Sequence, residues 1–336
     1  MINFAIVGIG HISKKHIEAI QAIPEASLLA ICDTNPARLE EFSGICKTYT
    51  DLKEMLETLP ELDVVNICVP SGAHASLTTL CAQYKKHIIV EKPMALKLED
   101  CEKMIQSAKE NGVKLAVVHP NRFRPAIVML QKQIEEGKFG TLSHANATVR
   151  WNRNQAYYDQ APWRGTKEFD GGVLMNQAIH DIDLMLWLMG PVESVQAMAT
   201  TRLRKIEAED VAAAVLQFKN GALGIIEAAT TIYPKNLEES LAIFGEKASV
   251  KISGRTANYI ETWDIEGQTD EDRIKVVKEV ELDPFGKPGH QWIIEDMVDA
   301  IKNNHEPVVS GNDGLAPVKL ILAILESAET GKKILL

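Results

Sequence analysis

The sequence predicts a doubly wound parallel α/β sheet over residues 1–120, followed over residues 121–336 by an α+β domain with an open, mainly antiparallel sheet. Three observations carry that expectation. Up to about residue 120, short β-rich runs alternate strictly with helical patterns. Two of those runs, Val64-Val65-Asn66-Ile67-Cys68-Val69 and His87-Ile88-Ile89-Val90, are almost unbroken apolar stretches, as strands buried on both faces of a parallel sheet are. Past residue 120, successive strand patterns follow one another, with Asn220-Gly221 as a hairpin signal between two of them.

In order, the first part reads as strands at 2–7, 27–32, 46–49, 63–68, 87–90 and 114–118, with helices near 12–22, 35–43, 51–58, 73–84 and 98–111. The second part reads as a half-buried strand at 142–151 and strands at 194–203, 210–218, 222–232, 239–245 and 248–253. Helices are expected at 172–189, 290–304 and 313–331. No repeat or low-complexity linker separates the parts, so the boundary near His119-Pro120 is a chain crossing.

The chain has 336 residues, enough for two cores. A net charge of −10 without long single-sign blocks argues against nucleic acid and against an anionic membrane, both of which call for a basic face. No apolar run approaches the roughly 20 residues that cross a bilayer. Ile2–Val7 already reads as a first strand, so no signal peptide is expected and the expected compartment is the cytoplasm. The five cysteines, Cys32, Cys46, Cys68, Cys81 and Cys101, lack CxxC spacing and sit mostly beside apolar neighbours. Reduced core thiols are expected, and no metal.

Gly8-Ile9-Gly10-His11-Ile12-Ser13 stands where the first strand gives way to the first helix. Gly8 permits a tight turn, and Gly10 lets a pyrophosphate approach the backbone. The amides around His11 and Ile12 and the positive end of the helix dipole then face the phosphates. Ser13 occupies the place of the third Gly or Ala of this Rossmann fingerprint. Asp33 ends the second strand, where an acid accepts hydrogen bonds from the adenosine ribose and repels a 2′-phosphate. The nearest arginine is Arg38, so NAD is favoured over NADP.

Ligands of such sheets bind beyond the carboxyl ends of the strands, where Pro70, Ser71 and His74 follow strand four and Glu91-Lys92-Pro93 follows strand five. A lysine leaving a buried strand there is partly desolvated, which lowers its pKa and suits it to proton exchange. Residues 170–183 place Asn176, His180, Asp183 and Trp187 on one stripe of an otherwise apolar helix, behind Gly171-Gly172. A polar stripe in that setting requires polar partners or a cleft. Tyr157-Tyr158 and Trp163-Arg164 precede it; Arg164 suits a carboxylate or phosphate and Trp163 a nicotinamide or sugar face. A packed loop corner with a surface arginine fits that segment equally well.

Taken together, Gly8-x-Gly10 with His16, Glu91-Lys92-Pro93, Asn121-Arg122-Phe123, Gly171-Gly172…His180-x-x-Asp183 and the tail from about Gln291 resemble the Gfo/Idh/MocA oxidoreductases over nearly the whole chain. The resemblance implies that Lys92 and His180 flank a reacting hydroxyl, with Asn121 on the cofactor and Arg122 and Tyr158 on the substrate. Inositol-type members carry an aspartate one helical turn before the histidine. Here Asn176 stands there, and it orients but does not ionise. The segment 157–177 is similar to members that oxidise C3 of nucleotide-linked sugars, UDP-N-acetylglucosaminuronate 3-dehydrogenases among them. The expected activity is therefore an NAD-dependent sugar or nucleotide-sugar dehydrogenase. A myo-inositol-type cyclitol dehydrogenase and a non-catalytic dinucleotide- and sugar-sensing regulator are the alternatives. An open sheet with a free apolar face calls for a second subunit, so a homodimer or homotetramer is expected.

Overall fold

The computed structural model describes residues 1–336 and divides into two compact units, one of Met1–Pro120 with Lys287–Leu315, the other of Asn121–Gly286 with Ala316–Leu336. In the first unit, β1 (Ile2–Val7), α1 (Ser13–Gln21), β2 (Ala26–Cys32), β3 (Lys47–Tyr49), α2 (Leu52–Thr58), β4 (Val64–Ile67), α3 (His74–Gln83), β5 (His87–Val90), α4 (Leu98–Asn111) and β6 (Leu115–Val117) alternate in chain order. The remaining elements are α5 (Pro125–Glu135), β7 (Leu142–Arg150), α6 (Gln155–Tyr158), α7 (Ile179–Met189), β8 (Val192–Thr200), β9 (Val211–Phe218), β10 (Leu223–Ala229), β11 (Glu238–Gly245), β12 (Ala248–Ser253), β13 (Tyr259–Ile265), α8 (Asp270–Leu282), α9 (Gly289–Asn303), α10 (Gly311–Thr330) and β14 (Ile334–Leu335).

The first sheet runs β3-β2-β1-β4-β5-β6, all parallel, the strand order of a dinucleotide-binding Rossmann domain. Its central strands are sealed on both faces: Phe4, Ile6, Ile31, Ile67, Ile88 and Ile89 are all fully buried. Burying each such side chain contributes about 1.5–3 kcal/mol. Because β1 and β4 are neighbours reached from opposite directions, their carboxyl ends open a crevice at the point where strand order reverses.

Two expectations for this half change. The helix expected over 35–43 is a pair of 3₁₀ turns, Pro36–Arg38 and Glu40–Phe42. Asn35 caps the first by accepting from the Ala37 amide, and neither turn has a buried residue, so no apolar face holds a full helix there. The second change is the ownership of 287–315, which the sequence assigned to the later domain but which packs in the first unit. The cause is α9, whose buried His290, Ile293, Ile294, Met297 and Val298 recur at helical spacing, a stripe that packs against α1.

The second unit is built on an eight-stranded sheet ordered β13-β12-β11-β7-β10-β9-β8-β14, antiparallel except where β10 pairs parallel with β7. The Asn220-Gly221 turn joins β9 to β10 as expected, with the Asn220 side chain accepting from the Ala222 amide. Strand β13 and helices α5 and α8 lie outside the predicted elements, although α5 opens on Pro125 and buries Ala126, Ile127 and Leu130 at helical spacing. Only Trp263 and Ile265 are buried in β13, and only Val280 in α8. What holds α8 in register at its start is a capping box between Thr269 and Asp272. No helix is long and apolar enough to cross a membrane.

Because Ile294 is fully buried on the face by which α9 joins the first unit, Ile294→Ala is expected to cost about 2–5 kcal/mol. Urea unfolding followed by far-UV circular dichroism checks this; an unchanged midpoint would mean that α9 does not belong to that core.

Candidate active site

In the first unit the glycine loop is defined by close approach. Gly8 has a φ of +92°, and a Cβ there would meet the Cys68 carbonyl oxygen at 2.8 Å, so only glycine lets β1 turn against the end of β4. A Cβ on Gly10 would meet nothing within 4 Å, which leaves its backbone open to a phosphate. No side chain caps α1, although the Lys15 amide already donates to the Ile12 carbonyl at 3.1 Å. Ser13, in the third fingerprint position, is fully buried and donates to the Gly10 carbonyl at 2.7 Å, so the hydroxyl closes the loop internally. Beside it opens a cleft of about 470 Å³ lined by Gly10, His11, Ser13, Lys14, Glu41 and Phe42.

Asp33 is buried at the end of β2, and its carboxylate accepts from the Ile9 amide and the Asn35 amide, both at 2.8 Å. It therefore locks the glycine loop as well as presenting a negative charge at the ribose position. Arg38, half exposed, lies 3.3 Å from the same carboxylate. The donor set, with an acid in place of a phosphate-binding cation, fits NAD.

The two loops beyond β4 and β5 are tied together by His74. Fully buried, it turns Nδ1 to the Pro93 carbonyl and Nε2 to the Val69 carbonyl, both at 2.9 Å. Burial pushes its pKa down, against those carbonyls. This changes the expected role of His74: its polar atoms brace the loops, while Pro70, Ser71 and Lys92 in those loops are only half buried. The Lys92-Pro93 peptide is cis.

A cluster missed in the sequence lies directly behind Lys92. Glu91 is buried and its Oε1 receives His16 Nε2 at 3.0 Å and His290 Nε2 at 3.3 Å. The Asn66 amide meets His16 Nδ1 at 2.9 Å. Burial alone would raise the Glu91 carboxyl, but the two imidazoles outweigh it and hold it well below the usual carboxylate range. Burial pushes His290 down. The donor atoms of His16, Glu91 and His290 lie within 4.8 Å of one another, a spacing that also suits a metal ion. Hydrogen bonds account for it without one.

In the second unit the expected polar stripe begins in a π-turn, Leu174–Ala178, that leads into α7. Such turns widen the helix and recur at functional sites. Asn176 and His180 are half buried on this segment, and the Asn176 amide donates to the buried Asp170 carboxylate. Asp170 in turn accepts from the Gly165 amide at 2.7 Å. One turn on, Asp183 is taken by Arg122 in a buried two-pronged ion pair, Nε at 2.9 Å and Nη2 at 2.6 Å, with the guanidinium 5.2 Å over the Trp187 ring. Such a pair fixes the Arg122 side chain on α7. Asn121 reaches Glu239 at 3.5 Å. Burial raises Glu239 to about 7.

Arg164 is held between the rings of Tyr157 and Trp163, at 4.4 and 4.7 Å, and donates to the Tyr157 hydroxyl at 2.6 Å. Tyr158 is instead buried, with its hydroxyl 3.2 Å from that of Thr230. The Gly-Gly preceding the π-turn admits a protein group. A Cβ on Gly172 would fall 2.2 Å from the Glu209 carboxylate, which accepts from the Leu174 amide at 3.0 Å and so caps the start of the segment. No spacing rule in the sequence pointed to Glu209, because its partner lies 35 residues away.

A Rossmann sheet with a phosphate-ready glycine loop and an acid at the ribose position defines a dinucleotide-dependent oxidoreductase domain. Residues 2–119 match the oxidoreductase family with an NAD-binding Rossmann fold, and residues 127–251 match the GFO/IDH/MocA C-terminal domain. The chain belongs to the GFO/IDH/MocA oxidoreductase family. It is 38% identical to the WlbA dehydrogenase of Bordetella pertussis, solved in complex with NADH and UDP-GlcNAcA, covering 100% of this chain and 97% of that one with a TM-score of 0.95. The WlbA dehydrogenase of Chromobacterium violaceum, also with NADH and UDP-GlcNAcA, is 36% identical over 100% of this chain and 96% of that one, TM-score 0.93. The myo-inositol 2-dehydrogenase of Thermotoga maritima is 28% identical, covering 99% of this chain and 98% of its own. The protein is an NAD-dependent dehydrogenase.

Adding a methyl at Gly172 forces the buried Glu209 carboxylate off the Leu174 amide. Gly172→Ala is therefore expected to lower stability by about 1–3 kcal/mol. Combined with Glu209→Ala, the loss should be smaller than the sum of the two singles, measured as a double-mutant cycle in urea; strict additivity would disprove the contact.

Proposed function

We propose that this enzyme oxidises a ring secondary alcohol, at C3, of a nucleotide-linked sugar carrying a carboxylate, with NAD as hydride acceptor. The observation that carries the reading is the Tyr157–Arg164–Trp163 stack, a cation held between two aromatic rings on a segment followed by Asn176. A guanidinium so held suits a carboxylate or phosphate, and the rings suit a sugar face. Whole-length identity of 38% to a dehydrogenase solved with NADH and UDP-GlcNAcA supports the same class.

In this reading bound NAD would supply a hydride acceptor for the carbinol carbon. The Gly8–Ile12 loop would hold its phosphates and Asp33 its ribose, with Asn121 and the Pro70-Ser71 loop as further expected cofactor contacts. Lys92 and His180 handle the hydroxyl proton: one withdraws it as hydride leaves, and the other polarises the oxygen. Asn176 gives its amide to Asp170 and has no acidic proton, so it orients the substrate. Arg122 steadies the helix that carries His180, through Asp183.

A cyclitol substrate is the second reading, favoured by the 28% identity to a myo-inositol 2-dehydrogenase over 99% of the chain. Asn176 argues against it, since inositol-type members carry an aspartate at that place.

The second unit leaves Met198, Val215, Leu223 and Ile225 exposed on one face of β8, β9 and β10, with Val215 directly opposite Ile225. Adjacent apolar residues on a free sheet face suit a second copy of the chain, so the enzyme is proposed to be a homodimer or a tetramer of dimers. Five cysteines without a disulfide, with burial pushing Cys32, Cys81 and Cys101 up to about 12, suit a cytoplasmic setting.

UDP-GlcNAcA should reduce NAD at 340 nm, whereas free hexoses and myo-inositol should not; the reverse pattern establishes the cyclitol reading. Lys92→Ala is expected to lower kcat by about 10²- to 10⁴-fold while NAD affinity stays unchanged. Retained turnover would remove Lys92 from the chemistry. Light scattering at micromolar concentration should give a dimer or tetramer, and a monomer would refute the sheet-face interface.

A further inference from the structure

We infer that Asn66, His16, Glu91 and His290 form a buried positioning network whose task is to hold the main chain of Lys92, and that it ties this residue to the helix receiving the cofactor phosphates. The inference rests on the role of Lys92 given above. The four residues come from β4, α1, the end of β5 and α9, and all are buried within the first unit.

The proton pattern follows from Glu91. A carboxylate oxygen accepts only, so His16 Nε2 and His290 Nε2 must both carry hydrogen toward Oε1. With its proton on Nε2, His16 presents an unprotonated Nδ1, which accepts from the Asn66 amide. The second oxygen, Oε2, accepts the Lys92 backbone N–H at 3.2 Å. Three donors therefore converge on one carboxylate, and the last of them belongs to the residue proposed to exchange the substrate proton. The imidazoles of His16 and His290 stand edge to face, with centroids 5.0 Å apart.

A buried ionised carboxylate is an expensive way to fill space, since apolar side chains of the same volume stabilise a core as well or better. What it supplies is direction. The Lys92 amide is aimed by Oε2, and Oε1 is aimed by two rings that are themselves held by α1, α9 and β4. Helix α1 begins at the glycine loop, so movement at the phosphate site and at Lys92 share one rigid connection. A displacement of about 1 Å at a reacting group costs on the order of 100-fold in rate, enough to account for so dedicated a support.

Glutamine at position 91 isolates the effect. It keeps the shape of glutamate, but its amide offers one oxygen and one NH₂ to three converging donors, so at least one donor faces a donor. The tests use full-length enzyme with NAD bound, comparing Glu91→Gln, His290→Phe, His290→Gln and Lys92→Ala. The first readout needs no substrate: the acetylation rate of Lys92 by acetic anhydride, followed by peptide mass spectrometry, with exposed Lys53 as internal control. Glu91→Gln and His290→Phe should change the Lys92 rate at least threefold and leave Lys53 unchanged. His290→Gln, which retains a donor, should stay near wild type.

The second readout is turnover of UDP-GlcNAcA. Glu91→Gln and His290→Phe should lower kcat about 10- to 100-fold, with the NAD dissociation constant within about twofold of wild type. Unaltered Lys92 reactivity in both variants overturns the network. So does a kcat loss that merely tracks lost NAD binding, or one stoichiometric metal ion held by the three side chains on elemental analysis. If Lys92→Ala stays active while Lys92 reactivity still responds to Glu91→Gln, the network stands and the catalytic role of Lys92 falls instead.

Discussion

A parallel sheet ends each strand in backbone groups that no neighbouring strand satisfies, and the first unit depends on how those ends are closed. Water would satisfy them loosely. Here buried side chains do it: Asp33 takes the Ile9 and Asn35 amides, Ser13 bonds the Gly10 carbonyl, His74 lies between the Val69 and Pro93 carbonyls and donates its one N–H to one of them, and Glu91 takes the Lys92 amide. Each of these links lies at the carboxyl edge, where the fold places its ligand. The loops a cofactor meets are thereby set before it arrives, which lowers the ordering cost of binding.

The second unit uses the same economy on a different scaffold. Its candidate substrate segment is a widened helical turn whose start is closed by Glu209 and whose side chains are steered by Asp170 and Arg122. Asn176 and His180 are thus presented from a stretch with several fixed points. Substituting Asn for an aspartate at 176 removes one ionisable group from this row. In the proposed mechanism proton exchange then falls to Lys92 and His180, which sets it apart from one that uses an aspartate at this place.

Much of the architecture was legible locally. Unbroken apolar runs at 64–69 and 87–90 identified strands buried on both faces, and Gly8 and Gly10 marked the tight turn where the first strand meets the first helix. The failures share a cause. The 35–43 stretch has helical composition but no buried face, and α8 has almost none, so periodicity misled in one case and was silent in the other. Residues 287–315 were assigned by chain order, whereas the apolar stripe of α9 decides where they pack.

By itself the sequence determined the fold class and the NAD-binding character of the first domain, and it named the polar side chains expected near the ligand, because each is written in residues close together in the chain. Tertiary structure alone decided which of those side chains are committed to internal bonds. His74 and Tyr158 are polar residues near the expected site whose polar groups are spent on protein atoms, and nothing in their neighbours announces it. The same holds for His290, 199 residues from the carboxylate it meets. Hydrogen-bond partners are chosen by proximity in space, and folding brings together positions that no sequence spacing relates.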